Sequence, residues 1–95
     1  MSELRLEDFA GSVGERFELR AGDGTCPVEL MAAQPGPGRS LREGGTSFHL
    51  YWLGPSEPIL PQGVYEIRRG DEAYEMFIVP ISSDEKGTIY EAVFN

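Results

Sequence analysis

Two side chains of this 95-residue chain are of types that do nucleophilic or proton-transfer chemistry near neutral pH, and each occurs once. His49 is the only imidazole, the usual general base in that range. Cys26 is the only thiol and would serve as a nucleophile if the fold brought it to His49. A formal charge of −8 works against that dyad, because surrounding negative charge disfavours the thiolate. No nucleophile and no orienting acid stands beside His49 in the sequence. Strand alternation points it away from Phe48, Leu50 and Trp52, as a solvated residue on an outer sheet face. No catalytic residue is assigned, and the chain is expected not to be an enzyme.

The other chemical motifs are equally spare. One His and one Cys rule out the usual zinc ligand sets. Ser82-Ser83-Asp84-Glu85 and Asp71-Glu72 supply oxygen ligands but match no calcium-loop order, and both read as acidic turns. Arg69-Gly70-Asp71 spells an integrin-binding tripeptide at a place where a hairpin needs a Gly-Asp turn anyway. Gly11-Ser12-Val13-Gly14 lacks the spacing of a phosphate-cradling loop, and Gly36-Pro37-Gly38 has proline where free N–H groups would be needed. No metal and no cofactor are expected.

Sixteen acidic against eight basic residues, with no basic stripe, disfavour nucleic acid and anionic membrane surfaces as partners. A single cysteine forms no intrachain disulfide. The first residues, Met1 to Asp8, carry acids where a signal peptide needs a basic and then an apolar run, and no stretch of about twenty apolar residues exists. The expected compartment is the cytoplasm.

The elements that would position any site are short strands. Leu6, Phe9 and Val13 are expected on one side of a helical turn that plugs an open end of the core. Arg16–Arg20 alternates polar and apolar, Ala21-Gly22-Asp23-Gly24 turns, and Cys26–Ala33 returns, so a hairpin is expected. Gln34–Gly45, with four Gly and two Pro, is expected to be a loop rather than a helix or central strand. Thr46–Leu53 is the clearest strand, followed by a loop constrained by Pro55, Pro58 and Pro61. Strands are expected at Val64–Arg69, Ala73–Ile81 and Thr88–Phe94. No internal repeat is evident along the chain.

Four blocks carry a family resemblance: Phe48-His49-Leu50-Tyr51-Trp52-Leu53-Gly54-Pro55, Leu60-Pro61-Gln62-Gly63-Val64-Tyr65, Phe77-Ile78-Val79-Pro80 and Tyr90-Glu91-Ala92-Val93-Phe94-Asn95. Their order resembles that of small bacterial proteins of unknown function with an F-x-L…GP…QG-x-Y…F-x-VP…YEAVFN pattern. The first half fits more loosely, through Phe9 and Val13-Gly14-Glu15-x-Phe17. His49 and Trp52 depart from that pattern, so neither marks a site. The resemblance implies a single domain in the company of phage-tail-collar-like proteins, and no activity.

The fold expected is all-β, a single small antiparallel sandwich or barrel of about six strands covering residues 1–95, with one short N-terminal helical turn. Its last two strands are apolar on both faces, in a chain with little material to cover both. Tyr51, Leu53, Met76, Ile78, Ile89 and Val93 are therefore the candidate interface residues, and an unpaired edge strand is a second route to a partner. The expected function is a non-enzymatic interaction or assembly protein with a protein partner or a second copy of itself. The alternative is a small-ligand-binding domain using the Gly54–Gly63 loop beside Trp52 and Tyr51.

Overall fold

The computed structural model describes residues 5–39 and 46–94. Its register starts at two turns. Gly22 and Gly70 both sit at φ +60°, a left-handed conformation that glycine adopts without penalty. The pairs Ala21↔Gly24 and Arg69↔Glu72 close two-residue hairpins around them. The first hairpin joins β1 (Arg16–Ala21) to β2 (Gly24–Arg39), and the second joins β4 (Gly63–Arg69) to β5 (Glu72–Asp84). With β3 (Thr46–Gly54) and β6 (Gly87–Phe94) they form a closed barrel in the order β1-β2-β3-β6-β5-β4. Every neighbouring pair is antiparallel. In this ring each strand has a neighbour on both sides along at least part of its length, so none is a sheet edge throughout.

The two hairpins are copies of one pattern, which corrects the absence of a repeat in the sequence reading. Phe17-Glu18-Leu19-Arg20-Ala21-Gly22-Asp23 matches Tyr65-Glu66-Ile67-Arg68-Arg69-Gly70-Asp71 position for position. The ladders obey the same symmetry. β1 and β4 meet at Leu19↔Ile67, flanked by Glu18↔Arg68 and Arg20↔Glu66. β3 and β6 centre on Tyr51↔Glu91, from Phe48↔Phe94 to Gly54↔Thr88. A two-fold rotation that exchanges β1–β3 with β4–β6 maps each ladder onto itself.

β2 and β5 are the long strands, at 16 and 13 residues, because each serves two neighbours. β2 pairs with β1 through Glu29 and with β3 from Glu29 onward; β5 pairs with β4 through Ile78 and with β6 from Val79 onward. Register shifts near these bends, between Leu30 and Ala32 and between Pro80 and Ser82, mark bulges that help the strands turn. β2 continues through Gln34 and Pro35 to Arg39, where a loop was expected. Prolines are tolerated there because, among the described residues, this stretch pairs with β3 alone. Residues 40–45 of that expected loop lie outside the described residues.

Phe17, Leu19, Leu30, Phe48, Leu50, Trp52, Ile67, Ile78 and Tyr90 fill the barrel. Trp52 is fully enclosed and meets Phe17 edge-on with ring centroids 5.0 Å apart. α1 (Glu7–Ala10) brings Phe9 over one end, where it is 1% exposed and packs on Trp52 and Tyr74. Leu6 packs against this core, but Val13 is exposed, because the chain leaves the helix at Gly11. The segment after α1 is tied down by Arg69, whose guanidinium lies 4.8 Å from the Phe17 ring centroid, donates to Ser12 Oγ at 2.7 Å and pairs with Glu15. Across the barrel, Leu60 N donates to the Tyr90 hydroxyl at 3.0 Å and fastens the β3–β4 loop.

Gly87 gives a direct test of the packing where β3 meets β6. It has φ +150°, and a Cβ there would collide with the Gly54 carbonyl oxygen and the Leu53 side chain. Gly87→Ala is expected to lose about 2 kcal/mol or more in urea unfolding. Gly11→Ala, which meets nothing within 4 Å, is expected to stay close to wild type.

Candidate functional site

A cluster of hydrogen-bonded polar side chains sits on the barrel's outer surface at the pseudo-dyad. On β3, His49 and Tyr51 are two residues apart and so share the outer face; Glu91 reaches them from β6 because it pairs with Tyr51. His49 Nδ1 lies 3.1 Å from Glu91 Oε2, and the Tyr51 hydroxyl donates to the same oxygen at 2.9 Å. The fold therefore supplies the orienting acid that the local sequence around His49 lacks. The carboxylate is thereby satisfied by two donors, a cross-strand tie over the centre of the β3–β6 ladder. Both His49 and Glu91 remain about one-quarter exposed.

Cys26 does not join this cluster. It pairs with Leu19 in the β1–β2 ladder, beyond the end of β3's pairing with β2, while His49 lies further along β3 opposite Gln34. That is about 20 Å of strand between them, which removes the Cys–His dyad. Partial burial also pushes the Cys26 thiol up, away from the reactive thiolate. Among the described residues no group of three or more His, Cys, Asp or Glu side chains could hold a metal ion.

The six interface candidates divide sharply. Tyr51, Leu53, Ile89 and Val93 lie on the outer face, and Leu53 and Ile89 are directly opposed. Met76 and Ile78 point into the barrel at 4% and 0% exposure, so they cannot form an outer surface. Hairpin register is the reason. With Arg69↔Glu72 closing the turn, inward Tyr65 and Ile67 place Met76 and Tyr74 inward beside them, and the outward position falls to Phe77. Phe77 is 51% exposed, and its cross-strand partner Val64 is 65% exposed. Sequence reasoning missed this pair, although the turn register and the repeat both point to it.

The repeat supplies an internal control for that pair. Its equivalent in the first half is Arg16↔Glu29, an exposed pair of opposite charges. The same position on the same kind of bent hairpin is thus compatible with two solvated side chains of opposite charge. The fold does not require Val64 and Phe77 to be apolar. One row along, the second half opposes two like charges, Glu66↔Glu75, where the first half has Glu18↔Pro27. Neither Glu66 nor Glu75 has an ion-pair partner among the described residues, and Glu66 Oε1 is buried without a hydrogen bond. Val93, 47% exposed, stands just past Glu91↔Val79, the point where β5 leaves β6. Val64, Phe77 and Val93, bordered by Glu66, Glu75 and Glu91, form the candidate site.

The Gly54–Gly63 loop is braced: Tyr65 Oη donates to the Pro61 carbonyl at 2.7 Å, in addition to the Leu60–Tyr90 bond. Trp52, expected to line it, offers no face to a ligand because it is buried. Pro55 borders a groove of about 260 Å³ with Arg16, Pro27, Glu29, Leu53 and Lys86, at the place where β2 leaves β3. No helix among the described residues is long and apolar enough to cross a membrane.

The sequence model of one family, described as a domain of unknown function (DUF6916), matches residues 4–94. No curated protein matches the chain, and no solved structure does.

The polar cluster makes a pH prediction. Tyr51 is held above its ordinary value near 10 chiefly by donating to Glu91, with smaller contributions from desolvation and the Glu91 charge. A phenol raised in the folded state contributes stability below about pH 10 that is lost as pH rises through its folded value. Glu91→Gln is expected to return the Tyr51 titration, followed by ultraviolet absorbance, toward its ordinary midpoint. It should also make the alkaline fall in stability shallower.

Proposed function

The chain belongs to the DUF6916 family of domains of unknown function, and from the geometry of its outer face we propose that it is a non-enzymatic interaction or assembly protein. It docks a protein partner through the outside of its β4–β6 half. The observation that carries this reading is the exposed Val64–Phe77 pair, at a position where the other half of the same barrel carries Arg16–Glu29. Leaving two large apolar side chains half in water gains the fold little. Covering them in an interface recovers about 25 cal/mol for each Å² buried. Val93 extends the surface, and Leu53 with Ile89 continues it along the β3–β6 ladder.

The acidic border argues for a protein partner over nucleic acid, whose phosphates the three carboxylates would repel. The cytoplasm fits a chain with one free thiol. A subunit role in a larger body, including the phage-tail-like assembly that the resemblance implies, needs the same surface. The polar cluster at His49 is a carboxylate held by the imidazole and the Tyr51 hydroxyl, and the docking role does not draw on it.

The test uses a variant that writes the first half's charges into the second, Val64→Arg/Phe77→Glu. Surface changes of this kind usually alter stability by only about 0.5 kcal/mol, so the variant is expected to fold. Affinity capture from the native host with wild-type and variant bait should recover a stoichiometric partner with the wild type and lose it with the variant. A partner retained equally by both would overturn the reading.

A further inference from the structure

The bend that makes β5 serve two neighbours leaves backbone unused. Its ladder with β6 begins only at Val79↔Glu91, so among the described residues β5 from Glu72 to Ile78 is paired on its β4 side alone. β6 likewise runs on through Ala92, Val93 and Phe94 with β3 on one side and no β5 partner on the other. No turn, loop or cap hydrogen bond between described backbone groups fills the gap. Between the two strands lies a seam bordered by free strand backbone, and its outer lip carries Phe77 and Val93.

The first half contains the equivalent seam, where β2 leaves β3, and the comparison is informative. There the groove is bordered by Arg16, Pro27, Glu29, Leu53 and Lys86. Pro27 has no N–H to offer a docking strand, and the charges suit water. In the second half the matching positions are Val64, Glu75, Phe77 and Val93: a residue with an N–H replaces the proline, and apolar Val64 and Phe77 replace the oppositely charged Arg16 and Glu29. The proline and the charges that would turn a docking strand away from the first seam have no counterparts at the matching positions of the second.

Resting on the docking role proposed above, we infer that the β5–β6 seam takes a partner's extended peptide by strand addition. The peptide is one with alternating apolar side chains flanked by lysine or arginine. Backbone hydrogen bonds to the free side of β5 or β6 hold its main chain, and its apolar side chains pack along Phe77 and Val93, with Val64 behind. Glu66 and Glu75 select the basic flanks, and Glu75 in particular meets a charge it lacks among the described residues. A second copy of this chain is a poorer occupant, since each copy carries −8 and would bring acid against the same acidic border.

The probe is a phage-displayed library of random twelve-residue peptides selected against the folded chain, followed by synthesis of the most enriched sequence. Alternating apolar residues with Lys or Arg are expected. N-methylation of alternate backbone amides should weaken binding at least tenfold in one parity and spare it in the other, since a strand presents alternate amides to its neighbour. Val64→Arg/Phe77→Glu should weaken it at least tenfold in either case. Tolerance of N-methylation in both parities, with sensitivity to the double variant, overturns strand addition while leaving the docking face intact. Insensitivity to the double variant removes the docking face itself. No enrichment, or wild-type self-association abolished by the double variant, overturns the peptide partner and in the second case assigns the face to another copy.

Discussion

The structure depends on the bending of two strands. Six short strands close into a ring only if some of them change neighbours along their length, and β2 and β5 do so at Glu29 and Val79. The direct β1–β4 closure is only three residue pairs, so the long strands carry most of the cohesion around it. Inside the ring the bends bring Leu30 and Ile78 against the Trp52 and Tyr90 layer, and α1 seals one end with Phe9. Outside it, the same bends open two seams.

Because the halves repeat, the molecule contains its own comparison. Features present in both halves are those the barrel needs: the Gly-Asp turns, Leu19 and Ile67 facing inward at the pseudo-dyad, and the bulge near each bend. Features present in one half alone are free to serve something else. The Val64–Phe77 pair and the opposed Glu66 and Glu75 belong to this second group, while the His49–Tyr51–Glu91 tie crosses from one half to the other. The tie is internally satisfied, whereas the apolar pair and the acids beside it are not. That difference is why the second half, rather than the histidine, is read as the working surface.

Much of this was legible in the sequence. The strands, the Gly-Asp hairpins, the single all-β domain and the Phe9 plug follow from period-two alternation and turn chemistry. The inward face of β5 was not, because Met76-Phe77-Ile78-Val79 is apolar in both parities and alternation alone cannot orient it. The register imposed by Gly70 decides the matter, through Tyr65↔Met76 and Val64↔Phe77. The repeat was obscured because β6 follows a tight Asp84–Gly87 turn while the β2–β3 connection is longer, which puts the third strands out of phase. Glu91 beside His49 was invisible for a simpler reason: the two residues meet only through the β3–β6 ladder. The strand through Pro35 and Gly36 defies composition because, among the described residues, one side of it has no ladder to break.

Among the described residues, the strand backbone left without a partner between β5 and β6 is the feature on which the docking role stands. Amide hydrogen exchange of the free wild-type chain, read residue by residue by NMR, tests it most directly. Alternating protection along Ala73 to Ile78 is the expected result, slow for amides bonded to β4 and fast for those facing the seam, with fast seam-side exchange at the end of β6 as well. Uniform slow exchange along both sides of these strands would mean that the slot is already filled, and would contradict the claim.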